Sequence, residues 1–104
     1  MFPSHDPIFT ATTPSNNIAI GYNTLRLNST GDLNVAIGNY ALDANTVGDR
    51  SVAIGYLSLS GQNPASNTDM YNTAVGHATM ASLTTGTNNT AVGGVAMDKT
   101  ATRS

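Results

Sequence analysis

Few residues in this chain have the types and spacing that chemistry requires. Asp32 and Asp49 stand 17 positions apart, each directly after a glycine, Gly31 and Gly48. Two carboxylates roughly 5 Å apart can act as nucleophile and general acid on a glycosidic bond. Asp beside Gly is equally the ordinary make-up of a tight turn, where the carboxylate bonds nearby backbone, and the turn is the reading adopted. Asp43 and Asp98 are too distant along the chain's repeat to cooperate. His5 and His77 are the only histidines, and the chain has no cysteine, so thiolate metal sites and Cys nucleophiles are out. Ser and His show no local nucleophile signature. The expectation is a chain with no catalytic residue, no bound metal and no cofactor.

The elements that must position these residues are constrained by composition. The chain has 104 residues, enough for one domain, and a net charge of −2. Only 10% of residues are charged, against roughly 25% in ordinary soluble domains. All acids are Asp, and the cations are Arg26, Arg50, Lys99 and Arg103. Four scattered cations make no basic stripe for nucleic acid. Glu is absent and Lys and Gln occur once each, so the straight-chain residues that build helix bundles are missing. No apolar run approaches the roughly 20 residues of a membrane span, and the first sixteen residues lack the charged start and apolar stretch of a secretory signal. Hydrophobic residues reach 39%, so the chain carries enough apolar surface to fold.

An internal repeat organises the rest. Asn17-Ile-Ala-Ile-Gly21, Asn34-Val-Ala-Ile-Gly38, Ser51-Val-Ala-Ile-Gly55, Asn72-Thr-Ala-Val-Gly76 and Asn89-Thr-Ala-Val-Gly93 are copies of one motif, their glycines 17, 17, 21 and 17 residues apart. The longer interval contains Asn63-Pro64-Ala65-Ser66-Asn67, a loop-like insertion near 62–71. Four places after each glycine stand Leu25, Leu42, Leu59, Met80 and Met97, and ten places after the first, second and fourth stand Gly31, Gly48 and Gly86. A 17-residue unit is too short for a helix pair or propeller blade. Two short strands and two corners per unit predict an all-β parallel solenoid of about five coils over residues 17–104. Residues 1–16, with three of the four prolines, are expected to be an extended arm outside it.

Side chains alternate across a strand, so the branched column (Val35 and Ile37 in the second motif) and the alanine column face opposite ways. The reading adopted puts the branched residues inside with the Leu/Met column. Ala19, Ala36, Ala53, Ala74 and Ala91 then point outward as a close-packed subunit interface. A thin core and open end strands make oligomerisation the expected remedy. Asn17, Asn34, Asn72 and Asn89 are expected to stack as an amide ladder, interrupted by Ser51.

The motif Asn-x-Ala-Ile/Val-Gly, with Leu or Met four residues on, resembles the head repeats of trimeric autotransporter adhesins. The longer stretch from Thr84 to Gly93 resembles repeats of bacteriophage fibre proteins. This resemblance covers all five copies and implies left-handed β-rolls packed side by side as a homotrimer. No adhesin binding residues carry over, because the matched positions are structural. The signal peptide, coiled-coil stalk and membrane anchor of such adhesins have no counterpart here, so the expectation is a self-contained virion part or a piece of one. It would sit on the virion exterior as a short fibre, spike or capsid decoration, with Phe2, Ile8 and Phe9 of the arm docking into another virion protein. A host-surface glycan module is the alternative. Its contacts would be Tyr22, Tyr56 and His77, which follow the repeat glycines, and Tyr40, one place further on. Nucleic acid and membrane are not expected partners.

Overall fold

Each repeat motif becomes a three-residue strand ended by its glycine. The computed structural model describes residues 16–99, in which β1 (Ile18–Ile20), β2 (Val35–Ile37), β4 (Val52–Ile54), β6 (Thr73–Val75) and β7 (Thr90–Val92) stack as one parallel five-stranded sheet. The register follows the sequence repeat: Ala19 pairs with Ala36, Ala36 with Ala53, Ala53 with Ala74 and Ala74 with Ala91. Parallel neighbours need a crossover between them, and here the crossover is the remainder of the same coil. Five rungs enclose about four full turns, and β7 opens a further coil whose end lies outside the described residues. The docking-arm positions Phe2, Ile8 and Phe9 also lie outside them, as does His5.

Among the described residues, the second strand expected in every coil forms in only two coils. β3 (Gly48–Asp49) pairs with β5 (Thr68–Asp69) as a separate two-stranded sheet. Elsewhere the far side of the coil is a succession of turns, because the backbone enters the left-handed region repeatedly. In the second coil Leu33, Tyr40 and Leu42 have φ of 60°, 66° and 50°, and the same three columns are left-handed in every coil, as at Asn23, Leu25 and Met80. Such a residue reverses chain direction within one step, so the Leu column meets the next coil through single bonds (Leu25 N–H to Ala41 C=O, 3.0 Å; Leu42 N–H to Ser58 C=O, 3.0 Å) rather than through a ladder.

The core is narrow. Leu25, Leu42, Leu59 and Met80 fill it from the turn side, as expected. From the strand side it is filled by alanine. Ala19, Ala36, Ala53 and Ala74 are completely buried and Ala91 nearly so, all within one cluster with the Leu/Met column. The branched residues flanking them are half-buried or exposed. The expected assignment of faces is therefore reversed, and the alanines cannot serve as an outward contact between subunits. The reason is volume: a wall of Ile and Val opposite a wall of Leu does not fit inside a 17-residue coil, and overfilling a close-packed interior is costly.

Amides close the core at one corner. Asn34 donates its side-chain N–H to Gly48 C=O (2.8 Å), and its Oδ1 accepts the backbone N–H of Ser51 (2.8 Å). Asn17 and Asn72 repeat the pattern toward Gly31 and Gly86 and toward the N–H groups of Asn34 and Asn89. At the strand end, Gly38 has φ of 125°, and a Cβ there would lie 2.7 Å from the carbonyl of Gly55 in the next coil. Both facts demand glycine.

Candidate interaction surface

Reversing the faces places the chain's β-branched columns outside. On the outer face of the five-stranded sheet, Ile18, Val35, Val52, Thr73 and Thr90 form one column, and Ile20, Ile37, Ile54, Val75 and Val92 form the next. Exposure is 47% at Ile18, 37% at Ile20 and 71% at Val92, with the middle rungs half-buried by their neighbours. No charged side chain falls in either column. β-branched residues suit strands on either face, which is why the sequence pattern alone could not tell outside from inside. A continuous apolar patch of this kind on a folded chain ordinarily marks a contact with another molecule.

The tyrosines form a second feature at the corner after the glycines. Tyr22 and Tyr40 meet edge to face at 5.7 Å, Tyr40 and Tyr56 do the same at 6.2 Å, and Tyr56 stacks on His77 at 5.1 Å. The structure thus brings all four residues into one column across four coils. Asn39 stands at the same repeat position as Tyr22, and its Oδ1 accepts the Tyr22 backbone N–H (2.9 Å). Such ring pairs each contribute about 0.5–1.5 kcal/mol beyond their burial, so the column ties successive coils together. Tyr56 gives one ring face to His77, which leaves less of it for an outside ligand.

The acidic positions are held by local bonds. Asp49 Oδ1 accepts the backbone N–H of Asp32 (2.7 Å), and Asp32 Oδ1 accepts that of Leu33 (3.0 Å), as turn aspartates do. Asp43 pairs with Arg26 at 2.9 Å and Asp69 with Arg50 at 2.8 Å, both between neighbouring coils. The Asp43 hydrogen bond, then its charge, raises the Arg26 guanidinium above its ordinary value, and Asp69 does the same for Arg50. Among the described residues no cluster of three His or Asp side chains gathers, and no ligand-sized cavity opens.

Sequence reasoning missed one buried residue that organises a network. Gln62 continues the 17-residue column of Asn28 and Asn45 and is completely buried. Its Nε2 donates to Asn45 Oδ1 (3.0 Å), while its Oε1 accepts from Ser51 Oγ (3.1 Å) and Asn72 Nδ2 (2.9 Å). It stands in where Ser51 breaks the Asn ladder, and the spacing from Asn45 was the signal that could have found it. Every buried side-chain polar atom of the described residues has a partner. Compared with protein-family models, with curated proteins and with solved structures, the chain matches none.

Proposed function

We propose that this chain is a non-enzymatic structural module on the exterior of a bacteriophage particle. It would serve as a short trimeric fibre, spike or capsid decoration. The observation that carries the structural role is the apolar outer face of the five-stranded sheet, continuous over all five rungs. Three copies packed side by side around a common axis would cover it, and the trimeric state is taken from the resemblance to adhesin heads. The phage setting rests on the resemblance of Thr84 to Gly93 to fibre repeats. Residues 1–16, with Phe2, Ile8 and Phe9, are the attachment to another virion protein in this reading.

Light scattering on the purified chain tests the assembly: a mass of three chains is expected, and a monomer at micromolar concentration would overturn it. Changing Val52→Asp together with Ile54→Asp should give folded monomers with the β circular dichroism retained. Quantifying the chain in purified particles of its source tests the setting. A fixed copy number at symmetry-related sites is expected, lost when residues 1–12 are deleted while the trimer persists.

A second reading, recognition of host-surface glycans, is favoured by the aromatic column with its exposed Tyr56 and His77. Binding on a glycan array that vanishes in Tyr56→Ala would promote this reading over the structural one.

A further inference from the structure

A repeat shows its special positions where it breaks. The one irregular interval holds the insertion, and directly after it β5 pairs with β3 as a sheet found in no other coil among the described residues. Departures from a chain's own local rules concentrate at functional or strained sites. This sheet sets Asp69 opposite Asp49, and the chain continues from Asp69 to Tyr71. Arg50 Nε meets Asp69 Oδ1 at 2.8 Å. Arg50 and Tyr71 each stand two residues before a strand, and those strands pair Val52 with Thr73. The two are therefore neighbours in one column, roughly 4.8 Å apart.

Tyr71 is singled out by what it costs the fold. Its φ is 53°, in a region that Asn enters readily and an aromatic residue rarely, and Asn16 and Asn88 hold the same column. It is also 52% exposed. Its ring takes no part in the contacts that join Tyr22, Tyr40, Tyr56 and His77. Those rings cover one another, whereas the Tyr71 ring faces water. Beside it the side chains of Arg50 and Asp69 are 44% and 50% exposed. A guanidinium has five N–H donors and a carboxylate about four acceptor sites, so their mutual contact leaves both with capacity toward solvent. Beyond Asp69, both Tyr71 and Asp49 stand within reach of the Arg50 charge.

These side chains offer a ring face, donors and acceptors within a short span. The face of an aromatic ring is negative and attracts polarised C–H bonds. One side of a pyranose presents such bonds, and its adjacent hydroxyls both donate and accept. An anionic ligand is disfavoured, because two carboxylates, Asp49 and Asp69, stand around one guanidinium. A wholly apolar partner would strip water from the ion pair and return no hydrogen bond. We propose that Tyr71, Arg50 and Asp69 form a recognition site for a neutral pyranose of a glycan. The sugar's C–H face lies on Tyr71, and adjacent hydroxyls bond to Arg50 and Asp69. The site is separate from the Tyr56 and His77 column, and it requires no particular oligomeric state.

Titrating the nitrogen-15-labelled chain with the methyl glycosides of glucose, galactose and mannose tests the site by amide shifts. At least one should move the signals of Arg50, Asp69 and Tyr71, with the millimolar affinity of a single ring on an open surface. Its uronic acid counterpart, which adds a carboxylate, should bind at least tenfold more weakly. Tyr71→Asn should abolish the shifts while the unfolding midpoint holds or rises, since Asn suits the left-handed backbone. Arg50→Asn removes only an exposed ion pair from the fold and should weaken binding at least tenfold. No shift with any of the three neutral glycosides overturns the assignment. So does binding that survives Tyr71→Asn or favours the uronic acid. Shifts centred on Tyr56 and His77 instead would uphold glycan recognition at the aromatic column and overturn it at this site.

Discussion

At the residue scale, the repeat glycines show how one column can be required for two reasons at once. Gly55 has φ of 130°, and a Cβ there would sit 2.7 Å from the carbonyl carbon of Gly76. Gly93 has the same φ, but its nearest obstacle is the Ala96 Cβ at 4.0 Å. Gly55→Ala is therefore expected to lose about 3 kcal/mol or more, from strain and overpacking together. Gly93→Ala should lose only the conformational part, about 1 kcal/mol, and urea unfolding of the two variants measures the difference. The alanines follow the same logic of space. Ala53→Asp places an unpaired carboxylate in a closed core, so it should abolish folding rather than merely separate subunits. Circular dichroism at low temperature distinguishes those results.

At the element scale, the coil is held by two unlike walls. One is the strand with its ladder to both neighbours; the other is a run of turns tied by amides and single backbone bonds. Gln62 bridges these where the repeat is irregular, since Ser51 is too short to continue the Asn ladder and four extra residues precede Gly76. Gln62→Ala strands Asn45 Oδ1 and the Ser51 hydroxyl and takes one of two partners from Asn72 Nδ2, and each unsatisfied group costs about 1–3 kcal/mol. A loss of at least 2 kcal/mol in chemical denaturation is therefore the expected outcome. The exposed insertion is anchored back over earlier coils by Thr46 Oγ1 to Asn63 (2.8 Å) and Thr30 Oγ1 to Asn67 (3.1 Å). Asn67→Ala removes only a surface bond and should shift the midpoint little. The repeat, its insertion and the Leu column were legible because identical columns recur. The missing second strand was not, because left-handed Leu and Tyr carry no propensity signal.

At the scale of the whole molecule, coils touch mainly their neighbours, the Thr30–Asn67 bond of the insertion apart, so stability is close to a sum of coil and interface terms. Coils with a neighbour on both sides should be the last to open. Hydrogen exchange is expected to be slowest at Gly55 N–H, bonded to Ile37 C=O between the second and third rungs, and faster at Gly93 N–H in the last described rung. Uniform protection along the rungs would contradict this linear behaviour. Taken alone, the sequence determined the period, the parallel stacking in register, and the positions of glycine and asparagine, because each depends only on which residues recur at fixed spacing. Alternation along a strand also determined that alanine and branched residues face opposite ways. Which set turns inward was decided by the tertiary structure, since only the closed coil sets how much volume lies between its walls. That width admits Ala opposite Leu and sends Ile and Val to the surface, where the chain's candidate contact lies.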